Sequence, residues 1–293
     1  MGDINGANWM GEIKEHCELS LLNIPGTHDC GTKNVENSKK LQCQSLSIQE
    51  QMNIGVRYFD IRCAAGSKDS TQYIKHSSAF CRNDYGDLLT IDELINTGKT
   101  FLKHHPTEAL IYQIKNEGDG SNDSRLCNHI GKYIANGSLW AQDRIPCLDE
   151  VRGKIVLVRR FTDKENDYSL PRERLGINLS SWDSECFFKK DWNTFVHVND
   201  KAWVQDRYTV KAGEKYELLK RAIDEMNDSS SNPGSGWAIC LSSCMNPTPF
   251  DTACEINEKL LAGASILNVK KVGTFVVDFA SEALIRKIYM TNF

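Results

Sequence analysis

The chain alternates short apolar runs with segments of helical pattern, and this alternation restricts its fold more than any other feature. Runs rich in β-branched and aromatic residues are typical of strands, and here they lie at residues 21–24, 56–63, 109–114, 154–158, 202–204, 237–241 and 273–277. The run at 109–114 is almost wholly apolar, as expected for a strand that is covered on both faces. Strands that alternate with helices predict a parallel sheet with the helices outside it.

Helical segments lie between these runs. Capping-box patterns at residues 47–50 and 90–93 predict two helix starts, and the second helix is expected to end before Pro106. Residues 214–226 place five apolar side chains on one helical stripe, and residues 281–290 have the pattern of a last helix. Because no internal repeat or long linker divides the 293 residues, we predict a single α/β domain, an irregular TIM-like parallel β/α barrel.

Polar residues follow nearly every predicted strand. They are His28 and Asp29, Asp60 and Arg62, His76, Lys115 and Glu117, Arg159 and Arg160, Asp206 and Tyr208, Ser242 and Ser243, and Asp278. Any one of them is more often a surface or locally paired residue. In a parallel β/α barrel, however, the carboxyl ends of the strands converge on one mouth, where the active site lies. Burying so many charges there without a function would be costly.

This set of groups suits one kind of chemistry. Two histidines can divide the acid and base roles of one displacement, and an arginine between them can stabilise charge on a phosphate. A carboxylate behind a histidine fixes its tautomer. Further lysine, arginine and aspartate side chains suit a ring of hydroxyls. The sequence therefore indicates cleavage of the phosphodiester of a polyol phosphate.

Several motifs resemble the X domain of phosphatidylinositol-specific phospholipase C. The first two are IPGTHDCGT at residues 24–32 and GVRYFDIR at residues 55–62, and His76 follows in KHSS. The later motifs are IYQIKNE, RGKIVLVRRF, VQDRY and VVDF, and they continue the resemblance in order. It spans about residues 8–290 and is nearest to the small, single-domain bacterial branch of the family.

The resemblance implies a role for each catalytic residue. His28 is the general base that takes the proton from the inositol 2-hydroxyl, and His76 is the general acid that protonates the departing diacylglycerol oxygen. Arg62 stabilises the charge on the phosphate. The supporting carboxylates are Asp278 behind His28, Asp29 beside His76 and Asp60 beside Arg62.

Substrate binding is implied in the same way for Lys115, Arg160, Asp206 and Tyr208, which contact the inositol hydroxyls. Arg160 is preferred to Arg159 because Phe161 follows it, as in the family pattern. The implied product is inositol 1,2-cyclic phosphate. The motifs address the inositol phosphate that phosphatidylinositol and glycosyl-phosphatidylinositol anchors share, and they do not distinguish these two substrates.

No cofactor or metal is expected. Calcium-dependent relatives surround the phosphate with carboxylates, since calcium takes about 6–8 oxygen ligands. Here Asp60-Ile61-Arg62 puts a guanidinium at one of those positions, which would replace the metal and repel it. The opposing possibility is a weak cation site formed by Asp29, Asp60 and Glu117.

The expected partner is a membrane surface that contains phosphatidylinositol, contacted transiently by a monomer. Residues 245–250 follow a strand and are a candidate rim. The net charge of −4 predicts no nucleic-acid partner. No run of about 18 apolar residues predicts a membrane span, and the first residues lack a signal-peptide pattern. The compartment, secreted or cytoplasmic, stays open, because the eleven scattered cysteines do not decide it.

Two rival hypotheses remain. One is a metal-dependent barrel of the glycerophosphodiesterase kind, which needs a carboxylate pair where Arg62 stands. The other is a non-catalytic inositol-phosphate-binding module. Binding alone does not require a separate acid and base, so the pair His28 and His76 counts against the second rival.

Overall fold

The computed structural model describes residues 4–14, 16–66, 70–164, 167–182, 195–228, 237–244 and 247–293. Within these ranges thirteen strands belong to one sheet. They are β1 (Ile24–Thr27), β2 (Asn34–Val35), β3 (Tyr58–Ala65), β4 (Gln72–His76), β5 (Ala79–Arg82), β6 (Leu110–Asn116), β7 (Leu139–Trp140), β8 (Ile155–Arg160), β9 (Ile177–Asn178), β10 (Val196–Val198), β11 (Ala202–Gln205), β12 (Trp237–Leu241) and β13 (Thr274–Val277).

Helices separate the strands of the barrel wall. The described α-helices are α1 (Ser38–Leu41), α2 (Ile48–Ile54), α3 (Ile91–His104), α4 (Asn122–Ala135), α5 (Leu148–Val151), α6 (Ala212–Asn227), α7 (Pro249–Leu261) and α8 (Glu282–Tyr289). Short 3-10 helices occupy Gly6–Glu12, Leu19–Leu21, Arg172–Arg174 and Met290–Asn292. None of the described helices has the length and apolar character needed to cross a bilayer.

The parallel part of the sheet follows the winding of a β/α barrel. Its order is β11, β12, β13, β1, β3, β6, β8 and β9. The last strand in the sequence, β13, thus lies beside the first, β1. β13 lies beside β1 in parallel from Ile24 opposite Thr274 to Thr27 opposite Val277. The hairpin β4–β5 leaves this order, because β4 pairs with β3 in antiparallel fashion. The carboxyl ends of the parallel strands consequently face one mouth.

Most of the predicted elements overlap those observed, but the first strand was placed too early. Residues 19–21 form a 3-10 helix, and the strand continues through Pro25 and Gly26, where the prediction ended it. Ile24 and His28 donate their N–H groups toward β13, so residue 25 faces β3, where the strand pairing starts only at Gly26 opposite Tyr58. The missing N–H of Pro25 therefore costs no hydrogen bond of the sheet.

The predicted helix starts are also observed, one of them with a difference. Ser47 and Glu50 form both hydrogen bonds of a capping box at the start of α2. At α3 the Thr90 side chain accepts from the N–H of Glu93, but the Glu93 carboxylate accepts from Asn83 instead of closing the box. α3 ends at His104, before Pro106 as predicted.

The register of three central strands sets up the layers of the barrel interior. Arg62 of β3 lies opposite Lys115 of β6, and Lys115 lies opposite Arg160 of β8. Asp60 lies opposite Gln113, two residues earlier on each strand. Since alternate residues of a strand point to the same face, three cationic side chains form one interior layer at the mouth, and Asp60 and Gln113 form the layer below it.

A buried ion pair lies at the other end of the barrel. Arg57 donates to Glu108 through Nε at 3.0 Å and Nη2 at 2.7 Å, and both side chains are completely buried. Glu108 also accepts from the backbone N–H groups of Met10 and Gly11. The N-terminal 3-10 helix is thereby attached to the strands at the end opposite the mouth.

Candidate active site

A cavity of about 250 Å³ opens at the mouth, and eight of the ten predicted site residues line it. These are His28, Arg62, His76, Lys115, Arg160, Asp206, Tyr208 and Asp278. The other two, Asp29 and Asp60, lie just beneath it and are 2 % and 1 % exposed. The structure therefore brings together every residue that the sequence assigned to the site.

His28 is oriented by Asp278. His28 directly follows β1, and Asp278 directly follows β13, so the pairing of these two strands sets both side chains at one level. The Nδ1 of His28 lies 2.8 Å from Asp278 Oδ1, and because a carboxylate only accepts, Nδ1 carries the proton. This leaves Nε2 facing the cavity, where it lies 2.7 Å from Arg62 Nη2.

The charge state of His28 reflects its neighbours. Burial by itself lowers the pKa of His28, but the carboxylates of Asp278 and Asp29 outweigh burial and raise the pKa to about 9, against the opposing effect of Arg62. When His28 is neutral, the lone pair on Nε2 can accept the N–H of Arg62 at 2.7 Å. The carboxylates of Asp278 and Asp29 thus favour the protonated ring, and Arg62 disfavours it. This balance suits a base that must take up a proton.

Asp29 lies between the two histidines and Arg62. Its Oδ2 is 3.2 Å from His28 Nε2, 3.2 Å from Arg62 Nη1 and 3.4 Å from His76 Nε2. None of the three has hydrogen-bond alignment; the approach to Arg62 is an ion pair, and those to the histidines are ion pairs when the ring is protonated. The backbone of Asp29 is left-handed, with φ of 42°, and this turn directs the side chain back under the mouth. Asp29 can therefore stabilise positive charge on either histidine.

Asp60 holds Arg62 from below. Its Oδ2 accepts from Arg62 Nε at 3.2 Å and from Nη2 at 3.0 Å. Burial would raise the pKa of Asp60, but Arg62, His28 and Arg160 outweigh burial and hold it well below its usual range. Asp60 is consequently a permanent carboxylate, and Arg62 is fixed between two carboxylates with its guanidinium at the cavity.

His76 reaches the site from outside the parallel order of strands. It is the last residue of β4, and its ring centroid lies 6.4 Å from that of His28 with the rings nearly perpendicular. Its Nδ1 lies 2.7 Å from the carbonyl oxygen of Leu41 at the end of α1, so Nδ1 donates there. Nε2 is then the nitrogen that faces the cavity and Asp29.

The remaining predicted residues form the other side of the cavity. Lys115 lies 3.4 Å from Glu117, and Arg160 stacks over the ring of Trp182 at 4.0 Å. The indole Nε1 of Trp182 also donates to Asp206 at 2.9 Å. Arg159 points away from the cavity, donates to the carbonyl of Phe161 and pairs with Asp163. The alternation of the strand therefore favours Arg160, as the sequence analysis did.

Sequence reasoning missed several residues of the site. Among them Lys40, Cys43, Ser77 and Cys244 line the cavity, as does Pro249, which belongs to the rim predicted at residues 245–250. Cys43, Ser77 and Cys244 lie on loops, for which no periodic pattern exists, and Lys40 lies in the four-residue helix α1. Gln113 was also missed, although a signal for it exists: it stands two residues before Lys115 and so shares its face of the strand.

The donor groups do not fit a calcium ion. Among the described residues, the one potential metal cluster is His28, Asp29 and Cys43, with ligand atoms within 4.8 Å of one another. Burial raises the pKa of the Cys43 thiol well above its usual value, so it stays neutral, and the Arg62 guanidinium already contacts the other two. Calcium prefers oxygen ligands. Metal-independent chemistry stays a prediction.

The chain is similar in sequence to a family model and to several curated proteins. A family model described as phosphatidylinositol-specific phospholipase C, X domain, matches residues 23–161. The chain is 32 % identical to a 1-phosphatidylinositol phosphodiesterase of Listeria monocytogenes, over 97 % of this chain and 84 % of that protein. It is 25 % identical to a 1-phosphatidylinositol phosphodiesterase of Staphylococcus aureus, over 93 % of this chain and 88 % of that protein.

Solved structures show the same fold. The phosphatidylinositol-specific phospholipase C of L. monocytogenes has a TM-score of 0.73 at 23 % identity, and the alignment covers 99 % of this chain and 100 % of that one. An S. aureus phosphatidylinositol-specific phospholipase C has a TM-score of 0.75 at 21 % identity, with coverage of 99 % and 98 %. The TIM-like barrel predicted from the sequence is confirmed.

Proposed function

The chain belongs to the phosphatidylinositol-specific phospholipase C X-domain family and cleaves phosphatidylinositol, and we propose that it does so by two-histidine acid–base catalysis that yields diacylglycerol and inositol 1,2-cyclic phosphate. One observation carries this proposal. A histidine oriented by a carboxylate and a second histidine face one cavity, with ring centroids 6.4 Å apart, and Arg62 stands beside the first of them. Such a pair can remove one proton and deliver another in a single displacement.

The proposed reaction begins at His28. Its Nε2 takes the proton of the inositol 2-hydroxyl, whose oxygen then bonds to the neighbouring phosphorus. The bond from phosphorus to the diacylglycerol oxygen breaks, and the imidazolium of His76 gives that oxygen a proton from Nε2. Arg62 exchanges its contact with His28 for the phosphate oxygens as their charge grows. Asp278 stabilises the imidazolium of His28, and Asp29 stabilises that of His76 before transfer.

The inositol ring is proposed to bind on the other side of the cavity. Lys115 and Arg160 offer donors to the cavity, and Asp206 offers an acceptor, which suits the hydroxyls of a ring. Tyr208 lines the same wall. Trp182 supports both Arg160 and Asp206, through stacking and a hydrogen bond. We therefore propose that specificity for inositol depends on this wall, and that the histidines act on the phosphate.

We propose that the rim of the cavity makes the transient membrane contact. Lys39 and Lys40 of α1 are exposed, and Lys40 lines the cavity. Phe250 is 55 % exposed at the start of α7 and packs edge-on against Phe279 at 5.1 Å. Cations beside an exposed aromatic side chain suit an anionic lipid surface. Of the rim predicted at residues 245–250, positions 245 and 246 lie outside the described residues.

The two rival functions receive less support. A metal-dependent phosphodiesterase would need acidic ligands where Arg62 pairs with Asp29 and Asp60. A binding module would not need two histidines with separate hydrogen-bond partners. We also propose that residues 1–293 form one catalytic domain, with a core at about residues 8–290. We propose that it acts as a monomer, which sedimentation velocity at catalytic concentrations tests.

The decisive experiment follows the cleavage of phosphatidylinositol in detergent micelles with excess EDTA by phosphorus NMR. Appearance of a cyclic inositol phosphate would establish the reaction, the attack by the 2-hydroxyl and metal independence. Activity only after added calcium would contradict the role given to Arg62. No product in either condition, together with tight binding of inositol phosphate, would favour the binding module. A parallel assay on a glycosyl-phosphatidylinositol-anchored protein decides between the two substrates.

A further inference from the structure

Three side chains in the barrel interior form a row of hydrogen bonds that ends at Arg62. The hydroxyl of Tyr58 donates to Gln113 Oε1 at 2.8 Å, and Gln113 Nε2 donates to Asp60 Oδ1 at 2.5 Å. The second oxygen of Asp60 accepts from Arg62. Tyr58, Gln113 and Asp60 are each 1 % exposed, so water does not compete for these contacts. We call these three residues the interior row.

The sequence places the interior row on one face by simple alternation. Tyr58, Asp60 and Arg62 are two residues apart along β3 and point into the barrel. On the neighbouring strand β6, Gln113 lies opposite Asp60, which brings its amide within reach of the carboxylate. Gln113 is not among the residues that line the cavity, and its side chain is hydrogen-bonded to Tyr58 and Asp60.

The direction of the hydrogen bonds follows from chemistry. Burial raises the pKa of Tyr58 well above its usual value, so the phenol stays protonated and donates. It therefore holds the carbonyl end of the Gln113 side chain and turns the amide NH₂ toward Asp60. The ring of Tyr58 packs edge-on against Trp237 at 5.9 Å, and Trp237 donates to Thr274 at 2.7 Å. The far end of the row is thus anchored on the opposite wall of the barrel.

We propose that Gln113 is a positioning residue of the reaction, which, with Tyr58 behind it, holds Asp60 so that Arg62 points at the phosphate. The inference rests on the proposed function, because that function assigns the phosphate to Arg62. Without Gln113, Oδ1 of Asp60 loses its donor. The carboxylate then rotates to offer both oxygens to the guanidinium, since carboxylates favour bidentate pairing with arginine. Arg62 is drawn toward Asp60 and away from the cavity.

Three variants test this proposal by steady-state kinetics on a soluble short-chain phosphatidylinositol. Gln113→Met keeps the volume and removes both hydrogen bonds, and we expect kcat to fall about 10²-fold, the cost of a misplaced catalytic group. Tyr58→Phe removes only the outer bond and should cost about 5-fold, the worth of one neutral hydrogen bond. KM should change less than kcat in both, because the inositol wall is untouched.

Tyr112→Phe is the matched control. Tyr112 is also completely buried, but its hydroxyl donates to the carbonyl of Leu94 in α3 at 2.8 Å, outside the barrel interior. Like Tyr58→Phe, this change removes one buried hydrogen bond of a tyrosine hydroxyl, but it does not touch the interior row. We expect kcat to stay unchanged in this variant. Equal losses in Tyr58→Phe and Tyr112→Phe would contradict the proposal, as would a normal kcat in Gln113→Met.

A second measurement does not depend on activity. The Nε–H of Arg62 is hydrogen-bonded to Asp60 and should give a slowly exchanging signal in a nitrogen–proton NMR spectrum, assigned by its absence in Arg62→Lys. We expect this signal to shift and exchange faster in Gln113→Met and to stay in place in Tyr112→Phe. A shift without any wild-type cleavage would refute the proposed function and keep the positioning role. Wild-type cleavage with an unmoved signal would refute the positioning role alone.

Discussion

The chemistry of the site depends on a few side chains that share one buried carboxylate. Asp29 Oδ2 lies within 3.4 Å of the two histidines and Arg62, so one negative charge faces Arg62 and whichever histidine carries the proton. A proton that arrives on His28 and one that leaves His76 therefore change the charge around Asp29 in compensating directions. The site keeps its net charge through the proposed reaction, which limits the reorganisation that the surroundings must undergo.

Replacing either histidine should abolish most of the activity. We expect His28→Ala and His76→Ala each to lower kcat by at least about 10²-fold, the usual contribution of a general acid or base. Phosphorus NMR on phosphatidylinositol micelles measures both rates. His104→Ala is a suitable control, because His104 is exposed and its Nδ1 is hydrogen-bonded to the carbonyl of Thr100 in its own helix, away from the cavity. Near-wild-type rates in either active-site variant would remove the two-histidine mechanism.

The pH dependence should report the pairing of His28 with Asp278. The base must be unprotonated, and its pKa of about 9 predicts that kcat/KM rises with pH through the neutral range. Asp278→Asn removes a charge that raises this pKa, so the rising limb should move to lower pH by roughly 1–3 units, the usual effect of one close charge. Profiles from pH 5.5 to 10 measure the shift. If the rising limb of Asp278→Asn stays at the wild-type pH, the general base is a group other than His28.

Short elements outside the regular barrel complete the site. The hairpin β4–β5 carries His76 into the mouth, and α1 supplies the Leu41 carbonyl that orients it. α1 has only four residues, two of them exposed lysines. The same element therefore supports the proposed general acid and offers its cations to the proposed membrane surface.

Charge removal on α1 should weaken membrane binding. We expect Lys39→Ala to lower partition onto vesicles that contain phosphatidylinositol by about 5-fold at low salt, since one lysine near an anionic surface contributes about 1 kcal/mol. The loss should disappear at high salt. Phe250→Ala should weaken binding at both salt concentrations. Sedimentation of the vesicles with bound protein measures the partition. Lys103→Ala, in the last turn of α3 at the other end of the barrel, serves as the control. Equal effects of Lys39→Ala and Lys103→Ala would exclude α1 as the contact.

The barrel separates its function from its stability. Reactive groups gather at the carboxyl ends of the strands, and the buried pair Arg57 and Glu108 ties the other end to the N-terminal 3-10 helix. Changes at the mouth therefore leave the contacts that stabilise the fold intact, because those contacts lie at the other end and do not touch substrate. This division is general for β/α barrels.

Breaking the buried pair should cost stability and leave the chemistry intact. Arg57→Met leaves the Glu108 charge buried without its partner, so the free energy of unfolding should fall by about 3–5 kcal/mol. Arg144→Met breaks the exposed pair of Arg144 with Glu150 and should cost no more than about 1 kcal/mol. Urea unfolding measures both. The kcat of the folded Arg57→Met protein should equal that of the wild type, and similar unfolding losses in the two variants would contradict the structural role.

Alternating patterns and motifs were enough to place the main strands, the helix starts and the ten site residues. These features are local: a period of two or 3.6 residues, a cap and a polar residue at a strand end each depend on a few neighbouring positions. The convergence of strand ends then follows from the topology of a parallel barrel, so His28 and Asp278 were correctly expected together although they are 250 residues apart.

The partners of those residues were beyond the reach of such patterns. The Leu41 carbonyl behind His76, Trp182 behind Arg160 and Asp206, and Gln113 behind Asp60 are chosen by the register and by loop paths across the folded molecule. A hydrogen bond needs its two atoms placed to within a few tenths of an ångström, and no local periodicity carries that information. Pro25 shows the same limit: its N–H is missing from a strand interior, and only the pairing of β1 with its neighbours reveals that no hydrogen bond was lost.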